Sequence, residues 1–282
     1  MANTSAVWRL AHGRTLELGP RAVIMGILNV TPDSFSDGGR HYAADVAIAH
    51  AARMLAEGAA IIDVGGESTR PGAAPVSAAE EQQRILPVIE QVAQMPGAIV
   101  SVDTYRAETA GLALAAGAHI VNDVWGLSRD AALAELAAST GAGLVAMHTG
   151  REREKLPDVI ADQHLFLGNA LEVASRAGVA EEQIVLDPGF GFAKDAAENL
   201  ALMARFEELH ALGYPLVAGT SRKRFIGAVT GREGDDRDIG TAATSAILRL
   251  KGAAVLRVHN VAMNKAALDI ADAVLQSAGQ SS

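Results

Sequence analysis

Eight short apolar runs punctuate the chain: AVIMGIL (22–28), AAIIDVG (59–65), AIVSVD (98–103), HIVND (119–123), GLVAMH (143–148), QIVLDPG (183–189), PLVAG (215–219) and AVLRVH (254–259). Each is nearly continuous in its hydrophobicity, the pattern of strands buried on both faces. Between them lie Ala- and Leu-rich stretches with apolar positions at helical spacing. VAIAHAARMLAEG (46–58) closes on Gly58, a natural C-cap, and AETAGLALAAG (107–117) and DAALAELAASTG (130–141) also end in glycine. Eight β–α units with no linker between them predict one parallel sheet. Eight strands favour closure into a (β/α)8 barrel, a TIM barrel, over a doubly wound open sheet. The G-x-G-x-x-G fingerprint of a dinucleotide fold does not follow the first strand. The pattern divides the chain into an N-terminal extension (1–20) with a short hairpin at the barrel bottom, a single barrel domain (21–274), and a flexible tail (275–282).

Composition narrows the function classes. The chain has 282 residues, a length that by itself leaves one large domain or two ordinary ones open, and at 49% hydrophobic and 20% charged it suits a buried core and argues against disorder. Lys plus Arg number 24 against 33 Asp plus Glu, a net charge of −9. An acidic surface has no general attraction for nucleic acid or an anionic membrane, so an anionic ligand must be held by local positive groups. Aromatics are only 4%, which argues against base-stacking platforms. There are no cysteines, which removes disulfides, thiolate metal sites and cysteine nucleophiles together and fits the cytoplasm. The N-terminus lacks the basic start and apolar core of a signal peptide. No apolar run approaches the ~18 residues of a membrane span.

Polar residues collect at one end of the predicted strands: Asn29, Asp63, Asp103, Asn122 with Asp123, His148, Asp187, Ser221 with Lys223, and Arg257 with His259. In a parallel barrel all strand C-termini share one face, where the βα loops build active sites. Any one of these residues has a bland explanation. An Asp at a strand end is as readily a helix N-cap, and a lone histidine is more often structural. The joint pattern is what predicts a ligand site. Two connections, NVTPDSFSDGGRHY (29–42) and GGESTRPGAAPVS (65–77), carry the length and Gly/Pro punctuation of active-site lids.

Those segments carry a resemblance. MGILNVTPDSFSDGG (25–39) and DVGGESTRPGA (63–73) look like the first two signature segments of the dihydropteroate synthases, and the likeness continues in SVDTYRAE (101–108), IVNDV (120–124), VLDPGFGF (185–192), SRKRFIG (221–227) and RVHNV (257–261). It implies condensation of 6-hydroxymethyl-7,8-dihydropterin diphosphate with 4-aminobenzoate, releasing pyrophosphate. It implies that Asp103, Asn122, Asp187, Phe192 and Lys223 hold the pterin, with Asp103, Lys223 and Arg257 as the catalytic groups. It further implies that Asn29, Arg257 and His259 hold the diphosphate, with Asn29 also on a Mg²⁺, and that Phe35, Thr69, Arg70, Pro71 and Ser221 form the 4-aminobenzoate pocket. A homodimer is implied as well, and the alanine-rich stretch 242–255 is the segment considered for it. The residue chemistry agrees. Asp187 offers acceptors to the donor edge of a pterin, and Asn122 both a donor and an acceptor. Arg257 and His259 lie two apart on one strand and so point the same way. The implied mechanism is dissociative and needs no protein nucleophile. Sulfonamides, which mimic 4-aminobenzoate, are implied ligands.

The chain departs from the family pattern at MHTGRERE (147–154), where many members have a Met-rich or Gln-containing continuation, and at Arg224 after Lys223. Two alternatives share the pterin logic. A corrinoid methyltransferase barrel acting on methyltetrahydrofolate should lack the STRPG and SRK segments, present here as Ser68–Gly72 and Ser221–Lys223. A non-catalytic pterin-binding relative should have lost some of Asn29, Asp103, Lys223, Arg257 or His259, and all are present.

Overall fold

Alternate residues of a strand point to opposite sides of a sheet, so in a closed barrel one parity fills the lumen and the other meets the helices. The computed structural model, which describes residues 6–31, 39–67 and 76–279 with the side chains of 39–43 excepted, follows this rule throughout. An antiparallel hairpin of β1 (Ala6–Arg9) and β2 (Thr15–Leu18) comes first. The barrel then runs β3 (Val23–Asn29), α1 (Gly39–Ala56), β4 (Ile61–Gly65), α2 (Ala78–Ala93), β5 (Ile99–Asp103), α3 (Ala107–Ala115), β6 (Ile120–Asp123), α4 (Ala132–Thr140), β7 (Gly143–Met147), α5 (Val159–Arg176), β8 (Ile184–Asp187), α6 (Ala196–Ala204), β9 (Val217–Ala218), α7 (Arg224–Thr230), α8 (Asp238–Leu250), β10 (Val255–Val258) and α9 (Val261–Gly279).

Strands β3 to β10 form one parallel sheet in the order β8-β7-β6-β5-β4-β3-β10-β9. A bridge between Leu186 and Leu216 joins its ends, with the Leu186 N–H donating to the Pro215 carbonyl at 3.0 Å. The outward parity (Ile24, Leu28, Ile62, Val64, Val100, Val102, Val121, Leu144, Leu186, Leu256) packs under the helices as the main core. The inward parity begins with an apolar floor of Met25, Ile61, Ile99, Ile120, Val145, Val185, Val217 and Val255, one from each strand. Trp8, Leu10 and Leu18 of the hairpin plug this floor from below, and the Trp8 Nε1–H donates to the Gln183 carbonyl at 2.8 Å.

Three boundaries differ from the sequence pattern. Helix α1 starts at Gly39, inside the connection 29–42 read as a lid. The stretch 242–255 holds the end of α8 and the first residue of β10 rather than a single helix. Helix α9 continues to Gly279, into the segment read as a tail. It is anchored by buried Arg249, which donates to Asp272 and to the Ala253 and Gly19 carbonyls, while Asp272 accepts from the Ala22 N–H at 2.9 Å. No helix among the described residues is long and apolar enough to cross a membrane.

Candidate active site

Two residues above the floor, the inward parity changes character. Asp63, Ser101, Asn122, Asp187 and Arg257 now face the lumen, with Asn29 and Asp103 a further two residues up their strands. Burying such groups is costly unless they pair, and they do. The Asp63 Oδ2 accepts from Arg257 Nε at 2.7 Å and from Asn122 Nδ2 at 3.1 Å. The Arg257 Nη2 also reaches Asp103 Oδ2 at 2.6 Å. Asp63 is fully buried, yet its Oδ1 and the Ser101 Oγ have no hydrogen-bond partner among the described residues. Neither atom is open to the pit, so leaving them unpaired is a free-energy cost that the fold carries.

The pit is walled by Asn122, Val124, Met147, Asp187, Phe192, Gly219, Lys223 and Arg257. Flat and apolar surfaces thus stand beside carboxylate, amide and cationic groups, a combination suited to a planar heterocycle with hydrogen-bonding edges. The connection after β8 sets two of these walls. Gly189 has φ +65°, and a Cβ there would come within 1.9 Å of the His148 carbonyl oxygen, so only glycine fits. Its N–H caps Asp187 Oδ1 at 2.7 Å. Gly191 has φ +77°, and a Cβ would meet Lys223 Cδ at 2.8 Å, so its absence lets the lysine stem pass. The Lys223 Nζ then lies 4.0 Å from the centre of the Phe192 ring.

The electrostatics follow from this crowding. Burial pushes the carboxyls of Asp103 and Asp187 above the usual carboxylate range, with Arg257 opposing the shift at Asp103 and the Gly189 N–H opposing it at Asp187. Burial, reinforced by neighbouring Arg257, draws the Lys223 ammonium below the usual lysine range. Burial also works against the charge of Arg257, but Asp63 and Asp103 outweigh it and hold the guanidinium protonated.

Beside the pit, Ser221 Oγ pairs with His259 Nδ1 at 2.9 Å and accepts from the His259 N–H at 3.1 Å. At the top of β3, Asn29 Oδ1 lies 3.8 Å and Asp103 Oδ2 3.7 Å from where a Cβ on Gly65 would sit. The missing side chain at Gly65 thus leaves a cradle lined by two hard oxygen atoms. No cluster of three or more His, Cys, Asp or Glu able to hold a metal occurs among the described residues.

Of the predicted site residues, Asn29, Asp103, Asn122, Asp187, Phe192, Ser221, Lys223, Arg257 and His259 gather at this end of the barrel. Phe35, Thr69, Arg70 and Pro71 lie outside the described residues. Two polar residues grouped with the strand-end set turn away. Asp123 follows the inward Asn122 and so takes the opposite parity, where its carboxylate accepts from the Trp125 and Leu127 N–H groups at 2.8 and 2.6 Å. His148 follows inward Met147 and packs behind the barrel, with Nε2 against Asp162 at 2.9 Å and Nδ1 against Lys194 Nζ at 2.8 Å. Conversely, Asp63 has a part in the pit that sequence reasoning left unassigned. The signal was available: a carboxylate inside the apolar run IIDVG needs a buried cation.

The chain is similar to known proteins along most of its length. The model of the family described as pterin binding enzyme covers residues 25–259. The dihydropteroate synthase of Bacillus subtilis (strain 168) is 46% identical over 262 residues, 92% of this chain and 90% of that one. Among solved structures, the Xanthomonas albilineans dihydropteroate synthase with 4-aminobenzoic acid superposes with a TM-score of 0.90 at 44% identity, covering 96% of this chain and 99% of that one. The enzyme of the same organism in complex with 7,8-dihydropteroate gives 0.86 at 41% identity, with 95% and 98% covered.

Proposed function

The chain belongs to the pterin-binding enzymes as a dihydropteroate synthase, and from that premise we propose that its pit binds 6-hydroxymethyl-7,8-dihydropterin diphosphate and transfers the pterin to the amine of 4-aminobenzoate. Support comes above all from the layer in which Asp63, Arg257 and Asp103 form one hydrogen-bonded line beside Asn122, Asp187 and Lys223. Asp187 accepts from the donor edge of the pterin, Asn122 and Lys223 serve its remaining edge atoms, and Phe192 and Met147 lie against its face. Analogues with the wrong edge are rejected, because they leave buried groups unpaired.

The C–O bond between the pterin methylene and the diphosphate then breaks, and the electron pair leaves with the diphosphate. The methylene is left cationic, with its charge spread into the ring. Asp103, held by Arg257, faces that charge as a fixed anion. Arg257 and His259 neutralise the departing diphosphate. The 4-aminobenzoate nitrogen forms the new C–N bond and passes its proton to the departed pyrophosphate or to water, with Ser221 and the residues Phe35, Thr69, Arg70 and Pro71 holding the benzoate. Asn29 is the proposed protein ligand of a Mg²⁺. An amide oxygen beside Gly65 fits a hard cation that would take its other ligands from phosphate and water. When bound, such an ion supplies positive charge to the leaving diphosphate.

The test is product formation. With the pterin diphosphate, 4-aminobenzoate and Mg²⁺, the protein should form dihydropteroate and pyrophosphate in equal amounts. Pyrophosphate without dihydropteroate would refute the transfer.

We also propose a cytoplasmic homodimer through α8 and α9. Ile239, Ile247 and Leu250 repeat along one exposed face of α8, and Met263, Ile270 and Val274 along α9. Ile270→Asp should give a monomer in sedimentation, and an unchanged dimer would remove these faces from the interface.

A further inference from the structure

The connection from β7 to α5 holds Arg151, to which the chemistry above gives no part. Its guanidinium lies over two rings, 4.1 Å from the centre of Trp125 and 4.9 Å from that of Phe192. Its Nη2–H donates to the Val124 carbonyl at 3.0 Å and its Nε–H to Thr149 Oγ1 at 3.0 Å. All its hydrogen bonds among the described residues therefore go to neutral oxygens, and its flat faces meet aromatic ones. An arginine serving only the surface would turn toward solvent and carboxylates. This one is half-buried between two nearly buried rings. Val124 and Phe192 are both walls of the pit. They come from the connections after β6 and β8, and β7, whose own connection supplies Arg151, lies between those two strands. One planar side chain thus bridges two loops that do not otherwise share an element, and touches both walls.

We propose that Arg151 is a positioning residue for the pterin: by stacking on Trp125 and Phe192 and holding the Val124 carbonyl, it pre-forms the wall against which the heterocycle lies. This inference rests on the pterin reading of the pit. A wall fixed in advance spares the ligand the cost of ordering it, which strengthens binding. Arg151 takes no part in breaking or making bonds, so the effect falls on pterin affinity and not on turnover.

The experiment compares wild type, Arg151→Ala, Arg151→Gln and Arg151→Lys by equilibrium binding of the pterin diphosphate, by steady-state kinetics and by tryptophan emission. Trp8, the other of the two tryptophans, sits at the opposite end of the barrel and contributes equally to each spectrum. For Ala and Gln the expected result is a Kd for the pterin diphosphate raised roughly tenfold, as two cation–π contacts are lost. The expected kcat stays within about twofold of wild type, the KM for 4-aminobenzoate does not change, and Trp125 emission shifts. Arg151→Lys should recover part of the affinity, since an ammonium keeps the charge but lacks the plane and fork of the guanidinium. Unchanged pterin affinity despite shifted emission would overturn the inference. So would a parallel fall in kcat and in affinity for both substrates, the mark of a general structural role. A wild-type protein that does not bind the pterin overturns the functional reading with it. A wild type that binds, beside variants that bind as tightly, overturns the inference alone.

Discussion

Asp103 is the residue on which the chemistry turns. It stands at the last inward position of its strand, bonded to Arg257 and pushed up by burial above the usual carboxylate range. A fixed anion facing a developing cation acts on the transition state more than on the ground state. Asp103→Asn should therefore lower kcat by about 10²–10³ while changing the pterin Kd by less than roughly tenfold, read from single-turnover rates and equilibrium binding. Equal losses would show that Asp103 only binds. The pH profile of kcat/KM should be a bell. Activity falls on the acid side as Asp103 takes a proton, at a pH above the usual carboxylate range, and on the basic side as Lys223 loses one, below the usual lysine range. In Asp103→Asn the Asp103 step should leave the acid limb, which then reports Asp187 alone. Much of this was legible in the sequence, because strand ends are predictable and their polar residues are few. Counting by two from Asn122 and from Met147 would also have sent Asp123 and His148 outward. Arg151 was not legible, since its partners lie in connections whose approach depends on the folded barrel.

At the scale of elements, the pattern of runs and glycine stops predicted eight strands and their helices, while the ends moved wherever tertiary partners decide them. Helix α9 packs on α8, and the two are locked by Arg249 and Asp272 together with the Gly19 and Ala22 backbone, while its residues past the predicted end, 276–278, are exposed. Nothing in AATSAILRLKG or in the α9 segment marks that pairing, because the partners are far apart in the chain. Arg249 is 2% exposed, so removing it strands a buried carboxylate. Arg249→Ala should cost about 3–5 kcal/mol in urea unfolding, with kcat almost unchanged in the folded fraction. A cost near zero would mean that Asp272 is solvated from another side.

The whole molecule separates stability from chemistry along the barrel axis: an apolar floor sealed by the hairpin below, a charged pit above. Below the barrel, His119 is buried with Nδ1 accepting the Val100 N–H at 3.1 Å, and burial lowers it to about 4. Behind the pit, burial and neighbouring Lys194 lower His148 to about 3. Each binds fewer protons folded than unfolded, so its contribution to stability is complete above about 6.5 and is lost as pH falls toward its folded value. The buried carboxyls Asp103, Asp123 and Asp187, raised by burial, act in the opposite sense. The clean test is a difference. His119→Asn keeps an acceptor for Val100 and should lessen the loss of stability between pH 6.5 and 5 by on the order of 1 kcal/mol, and an unchanged slope would contradict a neutral buried His119.

The central claim is that a pterin reader and a diphosphate grip share one pit. A crystal structure with the pterin diphosphate bound tests it most directly. The pterin donor edge should lie within hydrogen-bond distance of Asp187 and Asn122 while diphosphate oxygens contact Arg257 and His259. A ligand whose heterocycle lies outside this pit, or whose diphosphate sits away from Arg257 and His259, would contradict it.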